Sequence, residues 1–456
     1  MIYVECPDKE DMGTLTTEDV TAAAGGYVLS GGARSFTGVS TDSRRTKDGD
    51  LFIALKGERF DGHAFLDDAL DKCTGAIVER QPRELRRDRT IIYVKDTLKA
   101  LQDIARYMRL KRDVPVIAVT GSNGKTTTKE LIASILGSDY RVLQNEGNLN
   151  NHIGLPLSLT KMSEKDEIVV LEMGASAPGE IKALCEIAQP TCGVITNIGH
   201  AHLEGFRDIG TTRSTKLELL DYVDTAVVNA DDLFLMEGFT GSGFRGLLIR
   251  YGIKNPADIF ATDIQLLEKG SVFNLHFDEQ QIRVNPQISG MFNVLNILAA
   301  ASVGRLFNIG LEGIRQAVNS FGGVPMRLEY KALDGITVIS DVYNANPASM
   351  EAAIAEIVRI RKGRVIAVLG DMLELGNYQE EAHRKIGRLM SEHSVDIFIA
   401  FGPLMSVAAS EFHGVVHKVK SPEEAGRLLR EIWQQGDTVL IKGSRGMHME
   451  KVLADV

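Results

Sequence analysis

The chain has 456 residues, 44% hydrophobic and 25% charged, enough for about three domains with cores of their own. A formal net charge of −10 excludes broad nucleic-acid binding, so any anionic substrate must be met by local cationic sites. No apolar run is long enough to span a bilayer, and the acidic opening stretch lacks the basic and apolar segments of a signal peptide; a cytoplasmic chain is expected. Cys6, Cys73, Cys185 and Cys192 have no metal-ligand spacing and are expected to be reduced and mostly buried.

From about residue 15 to 95, short strands alternate with turns. Asp42-Ser43-Arg44 reads as a capped turn, Leu51–Leu55 and Thr90–Val94 as strands, and Lys56-Gly57-Glu58 and Asp61-Gly62-His63 as further turns. No function is legible there from the residues. Thr97 to Leu110 carries Leu98, Leu101, Ile104, Ala105 and Met108 at helical spacing, and the first domain boundary is placed just before it.

The stretch that organises the chain comes next. Val116–Val119 is apolar and β-branched, Gly121-Ser122-Asn123-Gly124 turns, and Lys125-Thr126-Thr127 enters a helix. Strand, glycine turn and helix N-terminus together offer unpaired N–H groups and the positive end of a helix dipole to an anion. The glycines allow close backbone approach, Lys125 adds a point charge and Thr126 a hydroxyl for Mg²⁺. The strict G-x-x-x-x-G-K-[ST] pattern lacks its first glycine, Val119 standing there, which leaves T-G-x-x-G-K-T-T beginning at Thr120. This reads as an ATP site.

Beyond it, β-runs alternate with helical runs, as in a parallel sheet covered on both faces, where ligands sit at the carboxyl ends of strands. Those ends carry Glu172, then Asn197 with His202 shortly after, then Asn229. Lys216 lies in a helical run where its residue-level reading is a solvated charge. Residues 255 to 290 are β-rich but weakly patterned. Asn293 and Asn296 fall on one face of an Ala-rich helix. The second linker is placed at Met326-Arg327-Leu328-Glu329. After it, strands at 336–340, 365–369, 397–401 and 439–441 alternate with helices, and no G-x-G-x-x-G follows the first strand, so a dinucleotide is not expected. The strand-end residues here are Asp341, Tyr343, Asn344 and Asn346, then Gly370 to Gly376, then Lys442-Gly-Ser-Arg445. The expected fold class is α/β in three domains. Residues 1–96 form a small α/β unit, 97–325 a P-loop ATPase-like parallel sheet, and 326–456 a Rossmann-like unit. Two nucleotide-type sheets with a single phosphate loop suggest an enzyme that closes on a second substrate.

T-G-S-N-G-K-T-T, the Glu172 strand end, Asn197-x-x-x-x-His202, Asn293-x-x-Asn296 and Arg327 resemble the Mur ligases, the ATP-dependent amide-bond formers of peptidoglycan synthesis. Asp341-x-Tyr-Asn-Ala-Asn-Pro, Gly-Asp-Met-Leu-Glu-Leu-Gly and Lys442-Gly-Ser-Arg are similar to members that join D-alanyl-D-alanine to UDP-N-acetylmuramoyl-tripeptide. T-D-S-R, D-L-F-I-A-L-K-G and D-G-H-x-F are similar to their uridine-nucleotide domain. The resemblance implies ATP with two Mg²⁺ ions, an acyl-phosphate intermediate, no nucleic-acid partner and no membrane span; a monomer is expected.

It also implies roles. Thr120 to Thr127 (Thr120, Gly121, Ser122, Asn123, Gly124, Lys125, Thr126, Thr127) would hold the ATP phosphates, with Lys125 on the β/γ-phosphates and Thr126 on Mg²⁺. Glu172 and His202 would help hold a second metal, and Lys216 stands where the family can carry a carbamate, here in T-K-L-E rather than A-K-G-E. Asn293 and Asn296 would meet the adenine end, Arg327 the phosphates and Asp341 the ribose. A histidine often precedes the first of these asparagines; here it is Phe292. Tyr343, Asn344 and Asn346 would line the dipeptide side; Ser43, Arg44, Gly62 and His63 would hold the UDP-sugar. The rival readings are a sister Mur ligase adding one amino acid, a folylpolyglutamate synthase, and a non-catalytic nucleotide-binding protein.

Overall fold

The computed structural model describes residues 14–57 and 60–454; Cys6, Glu58 and the acidic N-terminal stretch lie outside them. Four sheets account for the strands. The N-terminal unit has a five-stranded sheet in the order Tyr27–Ser30, Thr90–Tyr93, Gly75–Val78, Asp50–Ile53, Gly38–Ser40, parallel except for the first strand. A short antiparallel ladder, Leu15–Thr16 with Ser35–Phe36, closes one side.

The helix Thr97–Leu110, capped by the Asp96 carboxylate on the Lys99 N–H, serves two cores. Leu101, Ile104 and Met108 pack with Phe36, Leu51 and Ile92 of the N-terminal unit. Ala105 packs with Val116 and Leu155 of the central unit, and the buried Arg109 guanidinium donates to the Ala188 carbonyl at 2.9 Å.

The central sheet has nine strands. The phosphate-loop strand Val116–Thr120 lies between Ile168–Glu172 and Cys192–Ile195, parallel to both. Period-two alternation sends Ile117 and Val119 to one face, with Leu131, Ile135, Val294 and Ile297. It sends Val116 and Ala118 to the other, with Leu171, Ile181 and Leu184. A strand buried on both sides reads as a continuous apolar run, which is how Val116–Val119 reads. The weakly patterned 255–290 stretch becomes the antiparallel edge Ile259–Leu266, Ser271–Phe277, Gln280–Val284. Its middle strand turns Phe273, Leu275 and Phe277 onto the core.

The C-terminal sheet runs Glu329–Leu333, Ile336–Asp341, Thr438–Lys442, Val365–Gly370, Ile397–Phe401, Val415–Val419. Only the first strand is antiparallel. The two edge strands were not expected from the sequence; the four inner ones were. Asn346 caps the helix Pro347–Arg359, its Oδ1 accepting from the Ser349 N–H at 2.9 Å, with proline at the first helical turn where no N–H is needed. Cys73, Cys185 and Cys192 are free and buried. Among the described residues no helix is long and apolar enough to cross a membrane.

Candidate active site

Thr120 ends its strand buried, its hydroxyl donating to the Met173 carbonyl at 3.0 Å. The chain then turns through Gly121 at φ 145° and Gly124 at φ 81°. A Cβ on Gly121 would stand 1.9 Å from Thr196 Oγ1, and one on Gly124 2.4 Å from Asn296 Oδ1, so neither position tolerates a side chain. The loop is held from the neighbouring strand end. Ser122 N–H donates to the Asn197 carbonyl at 2.9 Å, Asn123 N–H to Asn197 Oδ1 at 2.9 Å, and Thr196 Oγ1 to the Asn123 carbonyl at 2.6 Å. The helix Lys125–Leu136 starts with Gly124 at its N-cap and no side-chain cap, leaving its first N–H groups for an anion.

Lys125 folds back over this loop, Nζ donating to the carbonyls of Gly121 at 2.9 Å and Ser122 at 3.2 Å. Burial pushes its pKa down, the Glu172 carboxylate works against that, and Arg327 adds to it. Thr126 Oγ1 accepts from the Arg327 guanidinium at 3.1 Å, and Arg327 stacks 4.0 Å from the Tyr343 ring centroid. Arg327 Nε is buried with no partner. Thr127 lines the same cleft.

Glu172 is buried at its strand end. Its Oε1 accepts from Asn150 Nδ2 at 2.7 Å, and its Oε2 is buried with no partner. Lys216 is also buried, its Nζ 5.7 Å from the Phe206 ring centroid. Desolvation, with a smaller push from the Lys125 charge, brings its pKa down to about 7. His202 sits at φ 55° and pairs through Nδ1 with Glu374 of the C-terminal unit, which holds the Glu374 carboxyl below its ordinary range. The same junction has Glu204 N–H donating to the Glu374 carbonyl at 3.1 Å and the His200 and Tyr378 rings 5.2 Å apart.

Asn293 and Asn296 form a chain rather than two separate contacts. Asn293 Nδ2 donates to the Ser289 carbonyl at 2.7 Å, Asn296 Nδ2 donates to Asn293 Oδ1 at 3.1 Å, and Thr128 Oγ1 donates to Asn296 Oδ1 at 3.3 Å. Across the cleft, Asp341 forms a buried ion pair with Lys442 at 2.5 Å, and Lys442 Nζ also donates to the Asn344 carbonyl at 2.9 Å. Asn344 turns its own Oδ1 to the Ala345 N–H. Asn346, while capping its helix, donates from Nδ2 to Asn123 Oδ1 at 2.8 Å, which ties the C-terminal unit to the phosphate loop. These walls enclose a cleft of about 1170 Å³, more than a drug-sized ligand needs.

Ser122 to Lys125, Thr127, Glu172, His202, Asn293, Asn296, Arg327, Asp341, Tyr343, Asn344 and Asn346 therefore line one cleft, while Thr120, Gly121 and Thr126 belong to its loop without lining it. Lys216 lies buried behind it. Ser43, Arg44, Gly62 and His63 do not line it. Arg44 folds onto Asp42 in an exposed turn, at 2.9 and 2.8 Å, and the Ser43 carbonyl accepts from Lys72. Gly62 packs so closely on Leu55 that a Cβ would stand 2.9 Å from its backbone. The buried His63 ring accepts at Nε2 from the Glu79 N–H and so donates from Nδ1 to Asp61 at 2.7 Å.

Four partners carried no role in the sequence reading: Asn150, Glu374, Lys442 and the Thr196-Asn197 brace. The asparagine cluster at 145, 148, 150 and 151 was the available signal for the first.

Among the described residues no group of three or more His, Cys, Asp or Glu side chains forms a metal cage. The donor chemistry nevertheless fits a hard cation: Glu172 has a buried, unpartnered carboxylate oxygen, and Thr126 a hydroxyl at the helix start. An ammonium at Lys216 cannot ligate a metal; a neutral amine that takes up CO₂ can.

Residues 119–304 match the Mur ligase middle domain, 326–445 the Mur ligase glutamate ligase domain, and 35–109 the Mur ligase family catalytic domain. This chain belongs to the Mur ligase family. A Bacillus subtilis relative, UDP-N-acetylmuramoyl-tripeptide–D-alanyl-D-alanine ligase, is 37% identical over 92% of this Mur ligase and 93% of its own length. A solved structure of MurF from Acinetobacter baumannii superposes with a TM-score of 0.91, at 33% identity, covering 97% of this chain and 99% of that one. The MurF ligase of Thermotoga maritima, solved in complex with ADP, gives 0.82 at 31% identity, covering 91% and 96%. The three-domain α/β fold of this Mur ligase is thus that of MurF structures.

Proposed function

We propose that this chain forms the amide bond between D-alanyl-D-alanine and UDP-N-acetylmuramoyl-tripeptide, using ATP and releasing ADP and phosphate, in cytoplasmic peptidoglycan precursor synthesis. The observation that carries this reading is the single cleft in which the phosphate loop of one unit meets the 341–346 loop of another through Asn123–Asn346 and Thr126–Arg327. The relatives at 32–37% identity over nearly the whole chain, named for that reaction, support the choice of substrates.

In this reading the γ-phosphoryl group passes to the tripeptide's terminal carboxylate, giving an acyl phosphate and ADP. The dipeptide amine attacks the acyl carbon and gives up a proton as the C–N bond forms; the acyl C–O bond breaks and phosphate leaves with its electron pair. Lys125 and the free N–H groups of its helix bear the phosphate charge, and Arg327 exchanges Thr126 for phosphate. Asn293 and Asn296 meet the adenine end and Asp341 the ribose. Tyr343, Asn344 and Asn346 line the dipeptide side, and closure of the cleft on its substrates would keep water from the acyl phosphate.

Thr126, Glu172, His202 and Lys216 as its carbamate would hold Mg²⁺, which when bound neutralises the charge of the reacting oxygens. The UDP-sugar would rest on the 1–96 unit at Ser43, Arg44, Gly62 and His63, with 97–325 and 326–456 as the other two units of a monomer.

The test is phosphate release from MgATP and UDP-N-acetylmuramoyl-tripeptide, with and without D-alanyl-D-alanine. Release that needs both acceptor and donor, with a UDP-pentapeptide by mass, is the expected result. Release with a single amino acid would move the chain to a sister ligase. ATP binding without release would end the catalytic reading.

A further inference from the structure

The helix Pro347–Arg359 is fastened to the central unit at both ends. At its start, Asn346 reaches Asn123 of the phosphate loop. At its end, about 20 Å away at 1.5 Å per residue, Arg359 makes a second junction. Its guanidinium donates to the Leu266 carbonyl at 3.1 Å, the Leu267 carbonyl at 2.6 Å and Ser289 Oγ at 2.9 Å. It is oriented for this by a forked pair with Glu356, at 3.0 and 2.7 Å, and Glu356 in turn accepts from Tyr330 Oη at 2.5 Å. Glu356 and Ser289 are buried, so the fork is fixed rather than one rotamer among many.

Ser289 is where this junction meets the nucleotide end of the cleft. Its carbonyl accepts from Asn293, Asn293 accepts from Asn296, and Asn296 accepts from Thr128 on the phosphate-loop helix. The path enters Ser289 at its hydroxyl and leaves at its backbone carbonyl, and every other link from Arg359 to that helix is a hydrogen bond of 3.3 Å or less.

We infer that Arg359 is a positioning residue for the nucleotide: it touches no substrate, but it fixes Ser289 and hence the side-chain directions of Asn293 and Asn296 relative to the C-terminal unit. The inference rests on the nucleotide part of the ligase reading and not on the identity of the acceptor.

Truncating Arg359 would strand the buried Glu356, so the informative variants are Arg359→Lys, which keeps a cation beside Glu356 but cannot hold the fork, and Ser289→Ala, which removes only the hydroxyl link. Calorimetric titration with MgADP and, separately, with UDP-N-acetylmuramoyl-tripeptide reads binding without turnover. The expected result is an ADP Kd raised about tenfold in Arg359→Lys and about threefold in Ser289→Ala, the scale of one charge-assisted hydrogen bond. The UDP-substrate Kd stays within about twofold, and the double variant is no weaker for ADP than Arg359→Lys alone, since both cut one chain. ADP affinities unchanged in both variants, or ADP and UDP-substrate affinities falling together as in a loosened fold, would overturn it. A wild-type protein that binds ADP with these dependences yet ligates nothing would leave the inference standing and remove the ligase reading.

Discussion

The floor of the cleft and its lid are built on opposite principles. In the floor, polar groups are left short of partners: Glu172 Oε2 has none, the first N–H groups of the Lys125 helix have no side-chain cap, and Lys216 is buried with its pKa brought down to about 7. In the lid, Arg327 Nε and Glu450 Oε2 aside, the buried polar groups satisfy one another. Asp341 is paired with Lys442, Asn346 caps its own helix, and His383 holds the Met372 N–H at 2.9 Å while its other nitrogen donates to the Gln379 carbonyl at 2.6 Å. Buried groups without partners are costly, and a ligand that supplies the partner recovers that cost as affinity. The floor is therefore where a charged ligand would gain most, and the lid is a wall whose groups are largely paired already.

The contrast is broken most directly at Lys125. Lys125→Ala should lower turnover by about a thousandfold, since in the proposed reaction it removes the cation that meets the transferring phosphate. The thermal midpoint should hold, because Lys125 bonds only to its own loop. Coupled phosphate release and a melting curve check the two halves. A next, smaller effect belongs to Lys216. Stripping CO₂ from the buffer should lower activity by about a hundredfold, the scale of losing a charged group near the reacting atoms, and bicarbonate should restore it. Lys216→Met should be insensitive to both treatments, and mass spectrometry of the intact protein reads the added carboxyl group.

The lid is tested by stability instead. Lys442→Met strands the Asp341 carboxylate in a buried site and should cost about 3–5 kcal/mol in urea unfolding, the range for breaking a buried pair. A variant as stable as wild type would mean that the lid is no more satisfied than the floor. The smallest effect is a pH dependence. Burial holds the His383 pKa below its ordinary value. A proton on Nε2 would also break the bond from the Met372 N–H. The unfolded chain therefore binds the extra proton first as pH falls past about 6.5, so the contribution is present above that pH and lost below it. Unfolding free energy should therefore fall more steeply from about pH 8 to about pH 5.5 in wild type than in His383→Gln, and urea unfolding at the two pH values checks it.

What could be read from the sequence follows from how local each interaction is. The phosphate loop occupies consecutive residues, and the run from Thr120 to Thr127 carries its own geometry. Inner parallel strands announce themselves as apolar runs because both faces are buried. The edge strands Glu329–Leu333 and Val415–Val419 do not, since their exposed residues interrupt any run. The pairing of Asp341 with Lys442 joins positions 101 residues apart, and that of His202 with Glu374 positions 172 apart. No spacing rule reaches that far. His202 is expected from the resemblance to help Glu172 hold a second metal; the partner of its Nδ1, Glu374 of the other unit, was not foreseen, and both residues have positive φ. The turns around Ser43 and His63 were legible as turns, but their bonds to Lys72 and to the Glu79 N–H, 29 and 16 residues away, were not.

The helix Thr97–Leu110 bears on how this architecture can be recombined. It carries Leu101, Ile104 and Met108 for one core and Ala105 and Arg109 for another. A chimaera spliced at residue 96 would transplant the N-terminal unit without its apolar underside. One spliced at 111 would remove from the central unit the guanidinium that holds the Ala188 carbonyl. Exchange of N-terminal units between ligases of this shape must therefore carry matched surfaces on both sides of one helix, and the N-terminal and central units are constrained to change together there.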